Sequence, residues 1–199
     1  YIGDWSSDVC SSDLAGSGHK LCGPTGIGFL WSRKEILEKI PPLFGGGEMI
    51  QDVFEETSTW AELPHKFEAG TPAIAEAIGL AEAINYINTI GLDEIHEYEK
   101  TITKYLFEKL NQIENIEIIG PSPKIDPDRA SLATFYIKNI HSNDIAEILD
   151  SKGICIRSGH HCCQPLHRYI GIKSTARISM NFTTNKEEID TFIKKLKET

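Results

Sequence analysis

The 199-residue chain lacks the stretches that would place it in several broad classes. No apolar run reaches transmembrane length and no leader pattern of basic residues before an apolar core is visible, so a cytoplasmic location is expected. Positive charge is short: 20 Lys and Arg stand against 29 Asp and Glu, a net charge of −9. Nucleic acid and anionic membranes are therefore poor partners, and Lys194, Lys195 and Lys197 read as the solvated face of a terminal helix. Cysteine is sparse and odd in number: Cys10, Cys22, Cys155, Cys162 and Cys163. Without framework spacing they argue against a disulfide scaffold and for a reducing compartment. Neither a Cys-x-x-Cys nor a His-x-x-x-His pair occurs, so metal is not expected at the adjacent His160, His161, Cys162 and Cys163. There is no internal repeat and no low-complexity linker.

What the chain does have is Arg157-Ser158-Gly159-His160-His161-Cys162-Cys163-Gln164-Pro165. Ile154-Cys155-Ile156 before it reads as a short buried strand, which puts these polar residues on a strand-exit loop, where α/β proteins place chemistry. A thiol beside Arg157, His160 and His161 has cationic neighbours that favour the thiolate, the nucleophilic form. A second anchor lies at Ser17-Gly18-His19-Lys20, followed by Gly23-Pro24-Thr25-Gly26-Ile27-Gly28. A lysine that bonds covalently to a carbonyl cofactor needs such a small-residue, partly desolvated setting.

Together these residues resemble the cysteine desulfurases of the sulfur-mobilisation (SUF) type, which depend on pyridoxal 5′-phosphate (PLP) and have the aspartate-aminotransferase fold. The resemblance runs through Ser17–Lys20, Gly23–Gly28, Gly45–Ile50, Phe67–Pro72, Arg157–Cys162 and Arg177, from Ala15 to the C-terminus. It implies an α/β fold: the C-terminal part of a fold type I PLP transferase of the class-V aminotransferase family. It also implies conversion of L-cysteine to L-alanine, with sulfur left as an enzyme persulfide for iron-sulfur cluster assembly. Lys20 would carry PLP, and His19, Ser17 and Thr71 would hold its phosphate, Thr71 from the neighbouring subunit of a homodimer. Cys162 would attack the substrate sulfur, with Arg157 and His161 beside the substrate and Arg177 clamping its carboxylate. Gly45–Gly47 would line the entrance. A sulfur-acceptor protein is the expected partner. Selenocysteine lyase and cysteine-sulfinate desulfinase are the alternatives on the same scaffold. A non-catalytic metal-binding or regulatory domain is the alternative of another class. Cys163 duplicates the thiol, and relay, resolving thiol and inert packing are all open for it.

Hydrophobic periodicity supplies the elements. Strands are expected at Ile27–Trp31, Ile116–Ile119, Leu132–Ile137 and Ala176–Met180, with strand-like runs in Phe54–Phe67. Helices are expected at Lys34–Lys39, Asp93–Ile113, Asn143–Lys152 and Lys186–Lys197. A further helix should start at Thr71-Pro72, Thr71 being its N-cap, with Ile74, Ala77, Ile78, Ala81, Ile84 and Ile87 as its inward stripe. Cys22 and Cys155 read as small buried residues.

Tyr1–Leu14 has neither strand alternation nor helical periodicity and resembles translated sequencing-adapter DNA, so it is set aside as non-native. Residues 15–71 then form the remnant of a large PLP-binding domain. Residues 72–199 form a linking helix and a small domain carrying the cysteine loop. No acidic residue between Ala15 and Lys20 can partner the cofactor's ring nitrogen, and the chain as given is expected to be inactive alone.

Overall fold

The computed structural model describes residues 13–199. They form two compact units, one ending at Ile90 and the other running Gly91–Thr199. The division therefore falls after the helix that follows Pro72, not before it.

The first unit opens with an antiparallel hairpin of β1 (Asp13–Ser17) and β2 (Gly28–Ser32), in register from Asp13 opposite Ser32 to Ser17 opposite Gly28. Asp13 and Leu14, the last two residues of the segment set aside, are the first two of β1. The rest of that segment, with Cys10, lies outside the described residues. A short helix α1 (Lys34–Lys39) follows. Lys66 is buried and its ammonium donates to the carbonyls of Leu37 and Glu38, at 3.1 and 2.9 Å, satisfying acceptors that the end of α1 leaves free. β3 (Ile50–Val53) and β4 (Ser58–Trp60) make a second small hairpin.

Helix α2 (Ile74–Ile90) begins later than the Thr-Pro pair suggests. The Ala77 N–H bonds to the Ala73 carbonyl, so Ala73 holds the cap position and Thr71 sits two residues ahead of it. The buried face is also not the expected one: Leu80 and Ala83 are inside, while Ile74, Ile78 and Ile84 are exposed. The helix is apolar on nearly every side, and such a sequence offers more than one stripe at helical spacing.

The second unit is a four-stranded antiparallel sheet in the order β5 (Ile116–Ile119), β6 (Leu132–Ile137), β8 (Thr175–Ser179), β7 (Arg157–Gly159). Helices α3 (Leu92–Leu110), α4 (Ser142–Asp150) and α6 (Lys186–Lys197) share its hydrophobic core, and α5 (Gln164–Ile170) follows the cysteine loop. Ile102, Leu106 and Leu110 of α3 meet Phe135 of β6 and Ile189, Phe192 and Leu196 of α6 in one cluster. Each such side chain contributes about 1.5–3 kcal/mol when fully buried. Asn185 starts α6 with a capping box: its side chain accepts from the Glu188 N–H, and the Glu188 carboxylate accepts from the Asn185 N–H, both at 2.9 Å.

Two local expectations fail here. Ile154–Ile156 joins no ladder; its isoleucines pack on the core while Cys155 between them is exposed. The strand starts three residues later, at Arg157, so Arg157, Ser158 and Gly159 lie in β7 and not in the loop. Cys22 is exposed as well, at φ 60° after the turn at Lys20. Among the described residues no helix is long and apolar enough to cross a membrane.

Candidate active site

Ser17, His19 and Lys20 share one turn at the tip of the β1–β2 hairpin, where Gly18–Leu21 forms a single 3-10 turn. Glycine makes this turn possible. A side chain at Gly18 would meet the Ile27 carbonyl at 3.0 Å and its methyl at 2.9 Å. One at Gly23 would meet both the Gly18 carbonyl and Leu80 of α2 at 2.9 Å. The buried face of α2 therefore packs on the loop that presents Lys20. Lys20 and His19 are exposed and Ser17 is half-buried. Thr71 is exposed, ahead of α2, and the Gly45–Gly47 loop is exposed too.

In the second unit the cysteine loop is a tight turn. His161 and Cys162 have φ of 51° and 62°, and the Cys163 N–H donates to the His160 carbonyl at 2.9 Å. Two consecutive left-handed residues inside such a turn define type I′, a turn normally built from Asn and Gly. The geometry sets Cys162 at the exposed corner, with an Arg157 guanidinium N–H 3.3 Å from its sulfur. Of the three cationic neighbours expected there, Arg157 is the one that reaches the thiol. The imidazoles turn elsewhere. The His160 ring lies edge-on to His167, centroids 5.4 Å apart, and His161 Nε2 is 3.0 Å from the Thr175 hydroxyl.

Cys163 is engaged differently. Its thiol donates to the His160 carbonyl at 2.9 Å and its sulfur lies 3.8 Å from His167 Nδ1. Buried Thr175 bridges His161 and His167, 3.0 Å from each Nε2. Sequence reasoning missed His167 and Thr175. The one available signal was spacing: His167 is one helical turn beyond Cys163, and its Nδ1 is 3.2 Å from the Cys163 carbonyl.

Arg177 sits on β8 directly opposite Arg157 on β7. Its Nε is buried without a partner, and no ion pair to Arg177 occurs among the described residues. Two arginines paired across one ladder, one of them with an unused buried donor, suit an anion such as a carboxylate. Burial, and then the charges of Arg177 and Arg157, push the His161 imidazole below the ordinary histidine range, with the Thr175 backbone opposing. Among the described residues no group of three His, Cys, Asp or Glu could hold a metal ion.

Residues 7–192 match the aminotransferase class-V family, and the chain belongs to it. This is the family of fold type I PLP enzymes, and the cysteine desulfurases within it depend on PLP. The chain is 54% identical over 186 residues to a protein of Synechocystis sp. named "Probable cysteine desulfurase", covering 94% of this chain and 44% of that one. It is 50% identical over 183 residues to a protein of the same name from Staphylococcus aureus, covering 92% and 44%. The solved apo structure of a cysteine desulfurase from Thermococcus onnurineus superposes with a TM-score of 0.86 at 39% identity, covering 94% of this chain and 46% of that one. The chain thus spans about half the length of the relatives it matches. Its residues fit the cofactor chemically. A hydroxyl, an imidazole and a primary amine within four residues on one glycine-tightened turn are the donors that a phosphate and an aldehyde require.

Proposed function

We propose that these residues serve a cysteine desulfurase, which takes L-cysteine to L-alanine and leaves the sulfur on Cys162. PLP, held by Lys20 with Ser17 and His19 at its phosphate, supplies the electron sink that weakens the bonds at the substrate Cα. Thr71 is assigned to the phosphate of the neighbouring subunit's cofactor in a homodimer. The Lys20 amine moves the Cα proton. Arg177 binds the substrate carboxylate. The Cys162 sulfur attacks the substrate sulfur: an S–S bond forms, the C–S bond breaks, and a proton restores carbon, so cysteine plus thiol gives alanine plus persulfide. Arg157 is a charge partner for the anionic sulfur at each stage. A sulfur-acceptor protein of iron-sulfur cluster assembly, as in SUF-type systems, then takes the sulfur.

The observation that carries this reading is the exposed corner position of Cys162 with the Arg157 guanidinium at 3.3 Å. Cys163 is less suited, because its S–H is spent on the His160 carbonyl. The test is made on a polypeptide of the relatives' full length carrying these residues. Alanine formation and protein-bound sulfur are measured for Cys162→Ala and Cys163→Ala. Loss of both with the first and retention with the second is expected, and the reverse would move the nucleophile to Cys163. Equal or better turnover of selenocysteine or cysteine sulfinate would reassign the substrate on the same machinery.

A further inference from the structure

The cluster behind the cysteine loop has a hydrogen-bond order that its acceptors decide. The Cys163 carbonyl can only accept, and His167 Nδ1 lies 3.2 Å from it, so this nitrogen carries a proton. The neighbouring Cys163 thiol does not compete, since its hydrogen goes to the His160 carbonyl. In neutral His167 the other nitrogen, Nε2, is then an acceptor, and the group 3.0 Å from it is the Thr175 hydroxyl. A hydroxyl has one hydrogen. Donated to His167, it leaves the Thr175 oxygen to accept from the other contact at 3.0 Å, His161 Nε2.

We infer that Thr175 and His167 are positioning residues that lock His161 as its Nε2–H tautomer, with Nδ1 a bare acceptor. The opposite tautomer fails twice. It would set two lone pairs against each other across one of the Thr175 contacts. It would also leave an N–H on His161 Nδ1, which is buried with no partner. Buried N–H groups left without an acceptor are rarer in folded proteins than acceptors left unused. The doubly protonated ring is disfavoured too, by burial and then by the charges of Arg177 and Arg157. The residue before Cys162 is thereby a neutral ring whose one bare nitrogen, Nδ1, is buried.

The tautomer does not rest on the desulfurase reading and can be measured without turnover. The test is long-range nitrogen–proton NMR of the 199-residue chain labelled in histidine nitrogen, at a pH where the rings are neutral. His161→Gln identifies the His161 signals by their loss. The expected result is a single His161 tautomer, with Nε2 protonated and Nδ1 bare. Thr175→Val, which keeps the shape and removes the hydroxyl, should shift the Nδ1 resonance toward the protonated position as a mixture of tautomers appears. Thr175→Ser should restore the single form. A wild-type His161 protonated on Nδ1 overturns the inference, whether or not Thr175→Val folds. So does a Thr175→Val chain that folds and keeps the single Nε2–H form.

Discussion

Phe135→Ala is a perturbation whose cost can be worked from the packing. The ring is fully buried on β6, and its centroid lies 6.3 Å from that of Phe192 on α6, tilted by 59°. Its neighbours across the two ladders are Ile118 on β5 and Ala176 on β8, and Ala176 is fully buried and too small to close over the space. Removing a buried phenylalanine costs about 3–5 kcal/mol, of which the ring–ring contact accounts for about 0.5–1.5. Domains of this size hold about 5–15 kcal/mol in all, so the loss takes a large share. With a urea slope of about 1–3 kcal/mol per molar, the unfolding midpoint should fall by roughly 1–5 M, about 2 M at the middle of both ranges. Far-UV circular dichroism follows the transition through α3, α4 and α6. Tryptophan fluorescence gives an internal control, because all three tryptophans lie before Gly91. The dichroism transition should move to lower urea and the fluorescence transition should move less. A loss below about 1 kcal/mol would place Phe135 outside a rigid core and refute the reasoning. Ala176 lies between Thr175 and Arg177, so the same cavity would loosen the strand that carries both site residues.

The other predictions concern the site. Lys20→Ala should abolish covalent PLP attachment in the full-length enzyme, read by mass spectrometry after borohydride reduction; undiminished labelling would move the attachment to another lysine. Arg177→Ala should raise KM for cysteine and lower kcat/KM by roughly tenfold to a hundredfold, the loss expected for a charge-assisted hydrogen bond of about 1.5–3 kcal/mol. Unchanged constants would make Arg177 structural. His161 is held below its unfolded-state value of 6.5, so its neutral form contributes stability that is complete above that pH. That contribution is lost as pH falls toward the folded-state value, because the unfolded chain binds the proton more readily. His161→Gln should therefore flatten the stability profile below pH 6.5, measured by urea midpoints; an equal slope in both proteins would deny the shift.

The sequence was most legible where one face is buried and the other is wet. Ile189, Phe192, Ile193 and Leu196 repeat at helical spacing, Asn185 and Glu188 mark the start, and the helix runs over Lys186–Lys197 as the pattern predicts. β5 and β6 likewise match their expected bounds. Helix α2 was misread because nearly all its positions are apolar, and what decides its inner face is a neighbour distant in sequence, the glycine turn at Gly23. The chemistry-bearing residues were visible as residue types in a pattern. Their mutual aim was not: nothing in Gly159-His160-His161-Cys162 announces that both imidazoles turn to His167 and Thr175, leaving the thiol to Arg157. That outcome depends on backbone sign at two positions, which periodicity does not encode.

The left-handed turn at His161 and Cys162 has a consequence for anyone evolving this protein. Holding an ordinary side chain in that conformation costs roughly 1–2 kcal/mol per residue, and glycine is free of the cost. A library randomised at the two positions and selected for heat resistance alone should drift toward glycine, discarding imidazole and thiol together. Selection would have to score sulfur chemistry in the same round to keep them. The corner that offers the thiol to solvent is, for a thermostability screen, the first place to improve and the one that must be left alone.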